Sequence, residues 1–139
     1  MAALVLDAGA LSALAARRPT DTTRRVRALL VEALARNAPV VVPSAVLVEL
    51  YRGDAADAAL DRVLTGRGVR VVTTGRAMAR VAGALRHRDR LDSCHVVDCL
   101  VVATAVRMGG GLVATGDPDD LRRLARGHSN VGVHAIGGR

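Results

Sequence analysis

Lysine, phenylalanine and tryptophan are all missing from this chain of 139 residues. With no Phe, no Trp and a single Tyr, Tyr51, the core must be built from Val, Leu and Ala. Any stacking against a nucleic-acid base would fall to Tyr51 or to Arg planes. With no Lys, all 20 basic residues are Arg, against 13 acidic ones, and the formal net charge is +7. Arg suits bidentate phosphate contacts, so a polyanionic partner fits; a compositional bias towards Ala, Arg, Gly and Val accounts for the same count. Glutamate is scarce too. Only Glu32 and Glu49 stand against 11 Asp, and Asp favours caps, turns and metal sites over helix surfaces. The two cysteines, Cys94 and Cys99, form no Cys-x-x-Cys pattern, and no second Cys/His cluster completes a site with His95. They read as reduced residues of a cytoplasmic protein. No apolar run approaches the ~20 residues that span a membrane. Asp7 interrupts the first run too early for a signal peptide.

What is present fits one domain over residues 1–139, a length that buries about two-thirds of its unfolded surface. Leu4-Val5-Leu6, Val40-Val41-Val42, Val69 to Val72, Leu112 to Ala114 and Val131 to Ala135 are short apolar runs that read as buried strands. Between them lie helical patterns. The first carries Leu11 and Leu14. A long one, capped by Asp21, carries Val26, Leu29, Leu30 and Leu34, and one from Ser44 carries Val46, Leu47, Glu49 and Leu50. Further helices are expected over Ala55 to Leu64, Thr74 to about Arg90 and Asp119 to Ala125, with a central buried one over Val97 to Met108. Strands alternating with helices predict an α/β fold with a parallel sheet covered on both faces.

In such a sheet, ligands sit beyond the carboxyl ends of the strands. Asp7 ends the first strand, Glu49 follows the second, Asp98 begins the buried helix and Asp117 follows the fourth strand. Each has an ordinary alternative: Asp7 and Asp98 as helix caps, Asp117-Pro118 as a turn leading into a helix. Glu49 lies among Val46, Leu47, Val48 and Leu50, where only Arg52 is near to balance it. Carboxylates gathered in one place repel one another and lose solvation, so such a cluster needs a cation. Oxygen ligands suit Mg²⁺ or Mn²⁺, and the matching chemistry is metal-activated water attacking a phosphodiester. Asp119 and Asp120 read as caps of the last helix, or one of them as a fifth ligand. Thr115 is a candidate to orient a bound water, and His87, His95, His128 and His134 show no ligand spacing.

Four segments in this order resemble PIN-domain ribonucleases of the VapC toxin type: Leu4-Val5-Leu6-Asp7, Val42-Pro43-Ser44-Ala45-Val46-Leu47-Val48-Glu49, Val97-Asp98-Cys99-Leu100 and Thr115-Gly116-Asp117-Pro118. The resemblance implies a single PIN-like domain with a parallel, about five-stranded sheet, Mg²⁺ or Mn²⁺ dependence and cleavage of RNA. It also implies a homodimer, and a small antitoxin that blocks the site. By position it carries the acidic quartet to Asp7, Glu49, Asp98 and Asp117. One departure is that many members place a hydroxyl just after the first Asp, where this chain has Ala8 and Gly9, with Ser12 the nearest hydroxyl. Candidate walls for an antitoxin segment are Leu11, Leu14, Val26, Leu29 and Leu30. Candidate phosphate contacts are Arg17, Arg18, Arg86, Arg88 and Arg90. A phosphate-receiver domain would need a Lys near the last strand, and an aspartyl-phosphate phosphatase an Asp at position 9. The remaining alternative is a non-catalytic PIN-like module that binds RNA or protein.

Overall fold

The computed structural model describes residues 2–66, 68–92 and 95–137. Cys94 lies outside them; Cys99 is buried as a free thiol. The elements run β1 (Leu4–Leu6), α1 (Ala8–Ala15), α2 (Asp21–Ala35), β2 (Val40–Pro43), α3 (Ser44–Leu50) and α4 (Asp57–Thr65). They continue with β3 (Val69–Val72), α5 (Arg76–Arg88), α6 (Val96–Arg107), β4 (Gly111–Thr115), α7 (Pro118–Ala125) and β5 (Val131–Ala135).

The five strands form one parallel sheet in the order β3-β2-β1-β4-β5. From β1 the chain steps outward to β2 and β3, crosses back to β4, and steps outward the other way to β5. Right-handed crossovers therefore place α1 to α4 on one face and α5 to α7 on the other. Most helix contacts group the same way, with α1 against α2, α3 and α4, and α6 against α5 and α7; α3 also meets α6 across the two groups. β1 and β2 are buried along their whole length, which is why they read as unbroken apolar runs. α6 touches four of the strands and buries Cys99 through Ala105 in succession. The one hydroxyl in that run, Thr104, donates to the Leu100 carbonyl at 2.7 Å.

Several boundaries differ from the sequence reading for local reasons. The cap of α2 is Thr20, not Asp21: Thr20 and Thr23 exchange side-chain and backbone hydrogen bonds, and Thr23 Oγ1 donates to the Ala13 carbonyl of α1. α4 starts at Asp57, whose carboxylate accepts from the Arg52 and Gly53 amides and holds the preceding loop. Thr74 stays outside α5 because its amide donates to Ser44 Oγ at 3.0 Å. Leu11, Val26 and Leu29 do not wall an open groove. They are buried, and Leu14 and Leu30 pack against the same core, because α1 and α2 close on each other and on β1.

One glycine is fixed by the sheet. Gly111 opens β4 with φ +156°, and an added Cβ would stand 2.3 Å from the Ala3 carbonyl oxygen, just ahead of β1. At the far end of α3, the Tyr51 hydroxyl donates to an Asp61 carboxylate oxygen on α4.

Candidate active site

β1 and β4 are neighbours whose outgoing connections diverge, so the crevice beyond their carboxyl ends is the switch point of the sheet. A cleft of about 360 Å³ lies there, walled by Ala8, Gly9, Val97, Val101 and Gly116 and by the carboxylates of Asp7, Glu49, Asp98 and Asp117.

Asp7 directly follows β1, and its amide donates to the Ala114 carbonyl of β4 at 3.2 Å. It is also the cap of α1, accepting from the Ala10 amide at 2.9 Å through Oδ1. A carboxylate has about four acceptor positions, so capping leaves the rest free for the cleft. Gly9 packs close to the site: a Cβ there would lie 3.4 Å from both Asp7 Oδ1 and the Gly116 amide nitrogen, about van der Waals contact. Ser12 is exposed and is no part of the wall. Glu49 sits in the last turn of α3. It is exposed, unlike its apolar setting suggests, because only Val46 of this seven-residue helix is fully buried and Val48 is 80% exposed.

Asp98 is the third residue of α6, and His95 holds the cap position instead. Burial pushes the Asp98 carboxyl up to about 6, with Asp117, Asp120 and Glu49 adding to the shift and His95 opposing it. Asp117 holds the cap position of α7 ahead of Pro118, but its side chain makes no cap bond to the helix. Its carboxyl is also raised, first by desolvation, then by Asp120, Asp119 and Asp7. Thr115 is buried, and its hydroxyl accepts from the Asp117 amide at 2.9 Å, which fixes the turn. Asp119 and Asp120 make no cap bond to α7 and sit in its first turn. Carboxyls pushed up by burial and then by one another are what oxygen donors gathered for a divalent cation look like without its charge. Asp7, Glu49, Asp98 and Asp117 could hold such an ion.

Sequence reasoning missed His95, and offered Asp120 only as a helix cap or a peripheral fifth ligand. His95 Nδ1 stands 3.8 Å from Asp98 Oδ2, and Asp120 acts on both Asp98 and Asp117. Each lies three residues from a quartet member, a spacing that shares a helix face.

The arginines singled out from the sequence differ in kind, and none of them lines the cleft. Arg17 and Arg18 are exposed. Arg88 is engaged: it grips Asp89 with two bonds of 3.1 Å and donates to the Leu124 carbonyl at 3.0 Å. Arg86 donates to the Leu91 carbonyl at 3.3 Å. Arg88 thus ties the end of α5 to the end of α7, and Arg86, Arg88 and Arg90 are not one free cationic patch. Arg88→Ala should lower stability by about 1–2 kcal/mol through the lost charged hydrogen bonds. It should leave the salt dependence of RNA binding unchanged. Thermal melts and binding titrations at several salt concentrations read the two effects separately, and a flattened salt slope would restore Arg88 as a phosphate contact.

A family model described as PIN domain matches residues 4–127. No curated protein matches the chain. Among solved structures, the chain is similar to VapBC2 from Rickettsia felis, solved bound to a DNA fragment from the promoter, at 17% identity and TM-score 0.67, covering 95% of this chain and 97% of that one. It is similar to FitAcB from Neisseria gonorrhoeae at 18% identity and TM-score 0.65, covering 96% and 97%. VapC20 from Mycobacterium tuberculosis, a toxin that cleaves the Sarcin-Ricin loop, is 20% identical with TM-score 0.58, covering 91% and 95%. At these identities the likeness is one of fold.

Proposed function

This chain belongs to the PIN domain family, and from that membership we propose that it is a metal-dependent endoribonuclease, the toxin of a toxin–antitoxin pair. The observation that carries the reading is the convergence of Asp7, Glu49, Asp98 and Asp117 on one cleft at the switch point. The fold likeness to a toxin that cleaves the Sarcin-Ricin loop supports RNA as the substrate class. The antitoxin partner and the homodimer rest on the resemblance to VapC-type toxins.

Asp7, Glu49, Asp98 and Asp117 would hold Mg²⁺ or Mn²⁺. When bound, the cation supplies an acidified water and a positive charge beside the leaving oxygen. The chain does the rest. Asp7 is pinned at both its amide and its carboxylate, and Thr115 holds the Asp117 backbone in place. Val97 and Val101 supply the apolar part of the cleft wall. Glu49 and Asp117 are exposed, leaving the mouth open to a polymer strand.

Purified protein incubated with structured RNAs should cut them in Mn²⁺ and stop cutting in a chelator, and Asp7→Asn should not cut. Mn²⁺ at a hundredfold excess over Kd should add about 2.7 kcal/mol of stability. A melt raised by Mn²⁺ with no RNA cut would favour the non-catalytic module; a melt indifferent to millimolar Mn²⁺ would remove the cation site. Induction in a host without the antitoxin should arrest growth for the wild type and not for Asp7→Ala at matched soluble levels. Equal arrest by both would place any toxicity elsewhere.

A further inference from the structure

His95 and Asp120 stand beside the carboxylate cleft and take no part in the function just proposed. His95 precedes α6 as its cap residue, yet its side chain makes no cap bond to the helix. Its Nδ1 is 3.8 Å from Asp98 Oδ2, beyond hydrogen-bond reach. Asp120 comes from a different element, the first turn of α7. One ligand atom from each of His95, Asp98 and Asp120 lies within 4.8 Å of the other two, and all three residues are half-buried. Donors that share one ion at about 2.1 Å are about 3–3.5 Å apart, so small side-chain rotations close this triangle on a cation.

The donor chemistry differs from that of the quartet. Carboxylates alone suit Mg²⁺ and Mn²⁺, whereas an imidazole nitrogen suits ions of the Zn²⁺ class. We propose that His95, Asp98 and Asp120 form a second cation seat for a Zn²⁺-class ion, sharing Asp98 with the acidic cleft. Asp98 then belongs to whichever ion holds it. A Zn²⁺-class ion on this seat withdraws Asp98 from the quartet and inhibits the nuclease, a consequence that rests on the proposed function; the seat itself does not. In the bland alternative His95 is only a charge partner that orients Asp98.

Calorimetric titration of the full chain with ZnCl₂ alone and with MgCl₂ alone separates these readings. Zn²⁺ affinity should fall at least about tenfold in His95→Ala and in Asp120→Asn, while Mg²⁺ affinity in His95→Ala changes by less than about twofold. Co²⁺, bound as a visible probe, should lose the spectral signature of a nitrogen ligand in His95→Ala. Unchanged Zn²⁺ affinity in His95→Ala, or an equal fall for both ions, would overturn the seat. His95→Asn keeps a polar side chain at the cap position and is the second variant if His95→Ala fails to fold. Asp7→Asn distinguishes the two sites: it should weaken Mg²⁺ and spare Zn²⁺. Zn²⁺ falling as far in Asp7→Asn as in His95→Ala would mean a single site and end the proposal. Zn²⁺ held through His95 in a chain that binds no Mg²⁺ would support the seat and overturn the proposed function.

Discussion

If the chain is the ribonuclease proposed above, Asp98→Asn should lower RNA cleavage at least about a hundredfold, and it should make the cation-free protein more stable at pH 7. The carboxyl of Asp98 is raised from 3.8 to about 6, chiefly by burial and then by Asp117 and Asp120. A carboxyl raised in the folded state favours folding while it is protonated. That contribution is complete below about pH 3.8 and is lost as pH rises through about 6, because in this window the folded chain holds a proton that the unfolded chain has released. The full shift is worth about 3 kcal/mol. The side chain is 31% exposed, and solvent screening leaves about 1–2 kcal/mol of it. Asparagine keeps the shape and removes the charge. At pH 7, in chelator, Asp98→Asn should therefore melt higher by roughly 3–8 °C. The wild type should lose stability between about pH 4 and 6, and the variant should show a flatter curve there. Saturating Mn²⁺ should reverse the order, because only the wild type gains from it. Cleavage should fall at least about a hundredfold, taking the upper cost of an outer-shell change as a floor for a ligand. Parallel pH–stability curves for the two proteins would remove Asp98 from the crowded site, and retained cleavage would remove it from the chemistry.

Gly111→Ala should unfold the chain or nearly so. The added methyl meets the Ala3 carbonyl oxygen at 2.3 Å, with the Ala3 carbonyl carbon and amide nitrogen both at 3.0 Å. These are backbone atoms beside the central strand, and the Ala3 carbonyl also accepts the Leu112 amide at 2.8 Å. Neither side has a flexible end that can give way. The φ of +156° adds strain for any residue with a Cβ. A cost of about 3–5 kcal/mol is expected, at the upper end for single substitutions. For a domain of this size that is a fall in Tm of roughly 10–20 °C. Any folded remainder should bind Mn²⁺ weakly, because a displaced β4 carries Asp117 away from Asp7. Soluble expression, a melt and a Mn²⁺ titration check this; a wild-type melt would show that β1 and β4 are not paired as described.

The apolar runs were sufficient to read five strands and an α/β sheet: β1, β2 and β4 are buried nearly throughout and show no polar alternation, while the edge strands β3 and β5 are partly exposed and were read from their valines. The ends of β5 are those read from the sequence, at Val131 and Ala135. The convergence of Asp7, Glu49, Asp98 and Asp117 followed from one rule about strand ends. What stayed hidden depends on three-dimensional neighbours. Periodicity showed that Leu11, Val26 and Leu29 share a face, but not that α1 and α2 cover each other. The run Arg86-His87-Arg88-Asp89-Arg90 looks like a solvated stripe, and only the end of α7 makes Arg88 a clamp. Gly109, Gly110 and Gly111 all read as a helix stop; the register against Ala3 singles out the last of them. His95 was passed over because its partner Asp120 is 25 residues away in the sequence.

The bond between Tyr51 and Asp61 gives the molecule a built-in optical reporter. With no tryptophan to outshine it, all ultraviolet emission comes from this one phenol, two residues beyond Glu49. A carboxylate that accepts the phenolic proton quenches such emission, and Asp61 also raises the phenol's pKa. A movement that parts Tyr51 from Asp61 should brighten the signal. If cation loading at Glu49 or strand entry moves Tyr51, its emission should report the event in real time without an attached dye.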